Sequence, residues 1–508
     1  MIRLGLSRLV SKSMLLFAAQ SMSAAVAVVT TPIIALGLGG EPYGLYVVLF
    51  GLVSYLSILD LGLSFSVVKQ VAEHDPQTER PAIEALLGTA ATIYLIIASI
   101  LVVTLVSGRE WIARSFLRIA EPLIPVAETA IIILACGVPV TMFITLLNGA
   151  LRGLLRFEYV TMFSVITATV FSTGAAVLVW SGTRVEVVFG LHLGLVAVSA
   201  MGHWVVARRF IPGLRIVLGV HRTELQRLFR FGRFMMINQL SMMALLNLDK
   251  LLIARILSVS MVGYYTVPFS LSQKLNTLGA ATATVAFPLS SAHLSRGEVE
   301  ELRRGYFQAS RMLGWVTMAL ALPTIVFAEP ILRFWMNGAF ATHGTVPLRF
   351  LAGAMWIASV ASLDAVCIEG SGRPNMTALF MAVTGVVNIV GIVTLTPLFG
   401  LAGAACSVFI AHVGLAALDV WCCNRYVLKL GLGKWGRAVA LPTAMTTLIS
   451  TPILLGLGRI PSSLWSLVGV LVAGGTVTIA VGYIVFLAPH ERRSVLAEAG
   501  RLVASVRT

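Results

Sequence analysis

Long apolar segments separated by short polar loops make up most of this chain. About 20 apolar residues span the hydrocarbon core of a bilayer as a helix, so the pattern predicts about fourteen membrane-spanning segments. These begin near residues 13, 43, 83, 122, 159, 186, 232, 262, 306, 346, 375, 400, 438 and 463. The pattern therefore predicts an all-α polytopic membrane protein.

The first loop and its flanking segments recur later in the chain. At a constant offset of 219 residues, Gln20, Ile34, Ala35, Gly44 and Tyr46 return as Gln239, Ile253, Ala254, Gly263 and Tyr265. The offset spans an even number of predicted segments, so both copies enter the membrane in the same orientation and form a parallel pair. We expect two parallel six-helix lobes around a central cavity, with two extra C-terminal helices.

This organisation also predicts domain bounds. The N-terminal lobe covers 1–207, a basic cytoplasmic linker covers 208–231 and the C-terminal lobe covers 232–424. Two further segments occupy 425–489, and a cytoplasmic amphipathic tail occupies 490–508. The arginine-rich linker and the tail are both suited to anionic lipid headgroups at the inner leaflet.

Composition and charge agree with a membrane location and indicate an orientation. Of the 508 residues 58% are hydrophobic and 12% charged, whereas soluble proteins carry roughly 25% charged residues. The net charge of +15 resides in short loops and not on one folded surface, which argues against nucleic acid as a partner. Most basic residues fall on one side of the predicted membrane, so both termini are predicted to be cytoplasmic, in the cell inner membrane. The predicted outer loops hold only Arg109, Arg114, Arg118, Arg184, Arg333, Arg349 and Arg459.

Signatures of enzymes and metal sites are missing from the sequence. The five cysteines show no paired CxxC spacing, and Gly433-Lys434 is followed by Trp435 and not by the Ser or Thr of a nucleotide-binding loop. The HExxH and GxSxG motifs are also absent. A membrane glycosyltransferase would need a sizeable outer loop, but Ser107 to Glu121 and Ala328 to Thr345 are short. We therefore predict a protein that is not an enzyme and has no metal or other cofactor.

Three stretches together carry a family resemblance. The first is Leu59 to Leu63, which reads LDLGL after the opening loop; the second pairs a membrane carboxylate, Asp249, with the turn Gly263 to Tyr265. The third is Glu369 to Arg373, which reads EGSGR. In this order they resemble the Wzx-type polysaccharide flippases of the multidrug/oligosaccharidyl-lipid/polysaccharide (MOP) exporter superfamily.

The resemblance implies a substrate and partners. The implied substrate is an undecaprenyl-diphosphate-linked oligosaccharide, moved from the inner to the outer leaflet for a polysaccharide such as lipopolysaccharide O-antigen or exopolysaccharide. A polysaccharide polymerase and a chain-length regulator are the implied protein partners. Transport by alternating access would be coupled, if at all, to a proton or sodium gradient.

Basic residues within or beside the spans are candidates for holding the pyrophosphate, because arginine binds phosphate bidentately and lysine acts as a point charge. Lys274 lies near the middle of segment eight, Lys250 is intermediate in depth, and Arg255 lies near the outer end of segment seven, where it can also snorkel. Arg152 forms a stripe with Asn148 and Arg156 at the end of segment four. This stripe is either a lipid-phosphate contact or an ordinary positive-inside feature.

Carboxylates in the spans are candidates for ion coupling or charge pairing. Asp249 is predicted to pair with Lys274 on the neighbouring helix and to release it when pyrophosphate competes. Asp60, Asp364 and Asp419 are the other buried acids. Each can bind a coupling proton or sodium ion, or can be a structural carboxylate satisfied by hydroxyl or backbone donors.

Two alternative functions stay open at the level of sequence. A cation-coupled small-molecule antiporter of the multidrug and toxin extrusion (MATE) type shares the expected fold and would favour a cavity of acids and aromatics over one with lysines. A membrane glycosyltransferase, or an O-antigen polymerase or ligase, is the alternative of another class.

Overall fold

A computed structural model of the chain describes residues 22–23, 25–56, 60, 62–76, 78–230, 236, 248–457 and 463–486. All regular structure within these ranges is helical. The start of predicted segment one, most of 232–247 and the predicted tail 490–508 lie outside the described residues.

The chain divides into two compact units, Met1–Gly263 and Tyr264–Thr508. In the first unit, α5 packs against α3, α4 and α7 and so lies at the centre of the helix packing. The helices of this unit are α1 (Ala25–Leu38), α2 (Gly40–Leu56), α3 (Leu63–Ala72), α4 (Arg80–Ser107), α5 (Ile124–Gly153), α6 (Phe157–Trp180), α7 (Val185–Phe210), α8 (222–230) and α9 (Leu248–Ile256). Short helical turns at Arg109–Trp111, Ile112–Phe116 and Glu121–Leu123 join α4 to α5.

In the second unit, α13 is the central helix and packs against α11, α12 and α14. The helices are α10 (Val259–Ser295, which begins in the first unit), α11 (Val299–Val326), α12 (Ala328–Trp335), α13 (Gly338–Gly370), α14 (Pro374–Cys422), α15 (Leu441–Leu457) and α16 (Leu464–Val485). Short turns at Cys423–Val427, Leu432–Trp435 and Gly436–Ala440 connect α14 to α15.

Nine helices in the described part are long and apolar enough to cross a membrane. One of them, Pro374–Val427, is 54 residues long and contains a break at Gly400, whose φ of 60° and ψ of −141° are not helical. This break falls where segment twelve is predicted to begin. The chain is thus a multi-pass helical membrane protein, while the count of fourteen and the two-lobe layout stay predictions.

Predicted segment two is not one continuous helix. The described part of α2 reaches Leu56, and α3 begins at Leu63 after Gly62, which lies in the left-handed region at φ 71°. Glycine adopts this conformation without the Cβ clash that other residues meet. Asp60 therefore lies in a helix break, where its carboxylate can accept a hydrogen bond from a backbone N–H at the start of α3.

Repeat-related glycines meet each other in the first unit. The backbone of Gly44, at the start of α2, lies so close to the start of α10 that a Cβ there would overlap the carbonyl oxygen of Val259 and lie 2.9 Å from the Cα of Ser260. A Cβ on Gly263 would lie 3.0 Å from the Tyr43 ring and 3.5 Å from the Gly44 nitrogen. Glycine at both copies of the repeat thus permits a close backbone approach.

Residues 214–221, in the first part of the predicted linker, form a strap along α4. The backbone N–H groups of Arg215, Gly219 and His221 donate to side chains of α4, namely Glu84 (2.7 Å), Thr92 (2.9 Å) and Thr89 (3.1 Å). A Cβ on Gly88 would overlap the Val217 carbonyl oxygen. Because an extended segment beside an apolar helix has no neighbouring strand, these side chains satisfy its backbone.

Candidate functional site

Asp60 accepts hydrogen bonds from Ser64 and Tyr94 in the break between α2 and α3. Its Oδ1 accepts from the Ser64 N–H at 3.0 Å and its Oδ2 from the Ser64 hydroxyl at 2.6 Å, while the Tyr94 hydroxyl on α4 donates to Oδ1. The side chain is 5% exposed. The carboxylate accepts a backbone N–H at the start of α3, and the two hydroxyl donors stabilise it in its buried position, which is the geometry of the structural alternative.

We expect Asp60→Ala to lower the thermal unfolding midpoint of the purified protein more than Tyr94→Phe does. Alanine leaves the buried Tyr94 and Ser64 donors without this acceptor, at a cost of about 1–3 kcal/mol, whereas Phe removes one of several donors. Differential scanning fluorimetry in detergent measures both midpoints, with and without sodium. A midpoint that rises with sodium in the wild type and not in Asp60→Ala would contradict a purely structural role.

Three of the predicted charged residues lie together on the short helix α9. Asp249 is fully buried, and its Oδ1 accepts a hydrogen bond from the Lys250 backbone N–H at 2.8 Å. The Lys250 side chain is half-buried and that of Arg255 is exposed. The buried carboxylate and the more accessible lysine point to different surroundings, as expected for adjacent residues on one helix.

Lys274 lies on α10 with an exposed side chain. Lys274 and Asp249 belong to different units, and the pair between them stays a prediction.

Arg152 lies in the last turn of α5 and is also exposed. The predicted stripe stops there, because α5 ends at Gly153. Arg156 lies beyond the helix end, with its guanidinium 4.2 Å from the centre of the Phe210 ring. Arg152 therefore extends the basic surface at the end of α5 without Arg156 as its helical neighbour.

Asp364 and Asp419 are brought together in the second unit. The Tyr306 hydroxyl on α11 donates to Asp364 Oδ1 on α13 at 2.5 Å. Asp419, on α14, lies within electrostatic range of Asp364. Their relative exposures are 1% and 4%. These two candidates thus share one buried site, while Asp60 lies in the other unit.

Tyr94, Tyr306 and Cys423 belong to these sites although the sequence did not single them out. Each donates to a candidate carboxylate from a different helix or turn. One feature of the sequence could have pointed to the tyrosines: a buried carboxylate needs hydrogen-bond donors, and the chain has only ten tyrosines to supply a phenol hydroxyl. It does not reveal which tyrosine meets which acid.

Each unit also contains a largely apolar cavity. In the first unit a cavity of about 350 Å³ is lined by Tyr94, Trp204 and two strap residues, Ile216 and Leu218. In the second, a cavity of about 530 Å³ is lined by side chains of α13, α14 and the turns before α15. Both cavities are more suited to hydrocarbon than to a charged headgroup.

A family model described as "Polysaccharide biosynthesis protein" matches residues 9–294, which is more than half of the chain. A protein of Shigella flexneri described as a putative O-antigen transporter is 22% identical over 404 residues. That match covers 79% of this chain and 94% of the relative.

Two solved structures share the fold. A structure of the lipid II flippase MurJ in an inward closed conformation aligns with a TM-score of 0.76 at 12% identity, covering 93% of this chain and 98% of the other. An inward-facing MATE-family multidrug resistance transporter of the MOP superfamily aligns with a TM-score of 0.67 at 15% identity, covering 82% of this chain and 99% of the other. The transporter names of these proteins agree with the prediction that the chain is not an enzyme.

Proposed function

Since the chain belongs to the polysaccharide biosynthesis protein family, we propose that it is a flippase for undecaprenyl-diphosphate-linked oligosaccharide repeat units. It moves them from the inner to the outer leaflet of the cytoplasmic membrane by alternating access, with both termini in the cytoplasm. The observation that carries the proposal is the family match together with a fold alignment that covers nearly the whole chain.

The extent of the fold alignments favours a lipid-linked substrate over a small soluble one. The alignment with the lipid II flippase covers 93% of this chain, and the alignment with the multidrug transporter covers 82%. The chain therefore shares more of its length with the transporter of a lipid-linked substrate.

The chemistry of the substrate assigns roles to the charged residues. Its pyrophosphate needs cations, for which Lys250 and Lys274 are the main candidates and Arg255 and Arg152 the additional ones. The anionic lipids of the inner leaflet interact with the linker at 208–231, and a polymerase and chain-length regulator accept the product. A proton or sodium gradient drives the cycle through Asp249, Asp60, Asp364 or Asp419.

A cation-coupled small-molecule antiporter is the second candidate, and the shared fold of the multidrug transporter is the observation that favours it. The two functions differ in the charge of the substrate that the protein must bind. An antiporter of cationic drugs does not need accessible lysines, whereas a pyrophosphate carrier does.

Deletion of the gene tests the proposal in the cell. We expect lipid-linked repeat units to accumulate on the cytoplasmic face of the membrane, and plasmid-borne wild type to restore their appearance on the outer face. Surface labelling of the sugar in intact cells, compared with total labelling in lysed cells, measures the share of repeat units on the outer face. Arrival at the outer face at the normal rate in the deletion strain would contradict the proposed function.

A further inference from the structure

Two buried carboxylates lie within electrostatic range of each other at one end of the second unit. Asp364 lies in the last two turns of α13 and Asp419 in the last turn of α14, and these helices pack along each other. The thiol of Cys423, in the turn that follows α14, forms a hydrogen bond with Asp364. The ends of the two helices are therefore in contact through their side chains.

The two acids differ in what they accept. Asp364 receives the Tyr306 hydroxyl at 2.5 Å and the Cys423 thiol. Asp419 Oδ1 is buried and has no hydrogen-bond partner in the described part of the chain. Donated hydrogen bonds stabilise a carboxylate anion, and an oxygen without donors favours the neutral acid. Asp364 is thus suited to carry the charge and Asp419 to carry a proton.

Neither acid is neutralised by a basic residue among the residues that the structure describes. Arg373 lies within electrostatic range of Cys422 at this end of α14, and its guanidinium is 5.5 Å from the centre of the Tyr426 ring. Glu369 adds a further negative charge within range of Asp419. Two buried carboxylates near each other cannot both be ionised without a large cost, so the site needs a neutralising partner.

A proton meets this need with one oxygen lone pair, whereas a metal ion needs several ligands. In the described ranges no group of three or more His, Cys, Asp or Glu side chains is arranged to hold a metal ion. The titratable or charged groups that face the pair from the surrounding elements are Tyr306, Cys367, Glu369, Arg373, Cys422 and Cys423.

We propose that Asp364 and Asp419 form the proton-carrying pair that couples flipping to a proton gradient, with Asp419 as the residue that takes up and releases the proton. In each cycle an O–H bond forms on Asp419 when the site opens to one side and breaks when it opens to the other. The coupling role rests on the proposed flippase function; the proton-binding role does not.

Infrared difference spectroscopy of the purified full-length protein tests proton binding without any substrate. Between acidic and alkaline buffer, we expect a carbonyl stretch of a protonated buried carboxylic acid that is lost in Asp419→Asn and retained, with a shift, in Asp419→Glu. Glu329→Gln is the control, because Glu329 is an exposed carboxylate of α12 in the same unit, paired with Arg333, and this variant keeps the band. An unchanged band in Asp419→Asn would overturn the pair.

Proteoliposomes loaded with lipid-linked repeat units extracted from a deletion strain test the coupling. An imposed proton gradient accelerates flipping by the wild type and by Asp419→Glu, while Asp419→Asn flips at one rate with or without the gradient. Acceleration by a sodium gradient alone, or an equal proton response in Asp419→Asn, would overturn coupling through this pair. If the wild type flips nothing while the infrared band behaves as expected, the flippase function fails and proton binding stands.

Discussion

Replacing both Lys250 and Lys274 with alanine will reduce the initial rate of flipping by at least about tenfold, because a hydrogen bond to a charged group is worth about 1.5–3 kcal/mol and 1.4 kcal/mol corresponds to a factor of ten. Lys274 is exposed and Lys250 is half-buried, so neither side chain is enclosed in the core. The single variants will each lose a smaller share.

The assay is initial-rate flipping in proteoliposomes at matched protein density. Lys69→Ala is the control, since Lys69 is an exposed lysine of α3 that forms a surface ion pair with Glu73 at 4.0 Å. A surface pair of this kind contributes little to stability. Wild-type rates in the double variant would exclude these lysines from the pyrophosphate site.

Gly44→Ala will destabilise the protein by about 1–3 kcal/mol, the usual cost of forcing an extra methyl group into a packed region. Its Cβ would lie 2.7 Å from the Val259 carbonyl carbon and 2.9 Å from the Ser260 Cα, and both are backbone atoms that cannot rotate away. The loop at the start of α2 or the start of α10 must therefore move.

Two matched glycines make the expectation quantitative. A Cβ on Gly263 first meets the Tyr43 ring, at 3.0 Å, which can shift, and a Cβ on Gly190 of α7 meets nothing within 4 Å. The thermal unfolding midpoints of the alanine variants should fall in the order Gly190, Gly263, Gly44, from highest to lowest. We expect the midpoint of the Gly190 variant to equal or exceed that of the wild type, since alanine is favoured over glycine in a helix interior by about 0.5–1 kcal/mol. Equal midpoints for all three would show that the close approach is not required.

The spans and the family were predictable because they depend on local composition and short motifs. Apolar runs of helix length mark the long helices, and the family match and shared fold confirm the resemblance to Wzx-type proteins of the MOP superfamily. The break at Gly400 was also predictable as a segment boundary. The repeat identified Gly44 and Gly263 as equivalent positions. It did not predict that the start of α2 and the start of α10 approach each other closely at these two glycines.

The carboxylate sites were only partly predictable, because their partners are distant in sequence. Asp60, Asp364 and Asp419 stand out as acids in apolar runs, but Tyr94 is 34 residues from Asp60 and Tyr306 is 58 residues from Asp364. No local period connects them. The interruption between α2 and α3 was missed for the opposite reason, since a run of apolar residues conceals a left-handed glycine.

The strap along α4 has a consequence for how the gene can be divided. A fragment that stops at Phe210 would leave the Gly88 surface and the hydroxyls of Thr89 and Thr92 uncovered. A fragment that continues through α8 includes the strap that covers this surface of α4. It also retains the hydrogen bond from the Ser66 hydroxyl to the Leu228 carbonyl at 2.8 Å. Split halves of this protein are therefore expected to reassemble when the cut falls after α8 and to fail when it falls at the end of α7. The segment predicted to link the two lobes thus packs as part of the first unit.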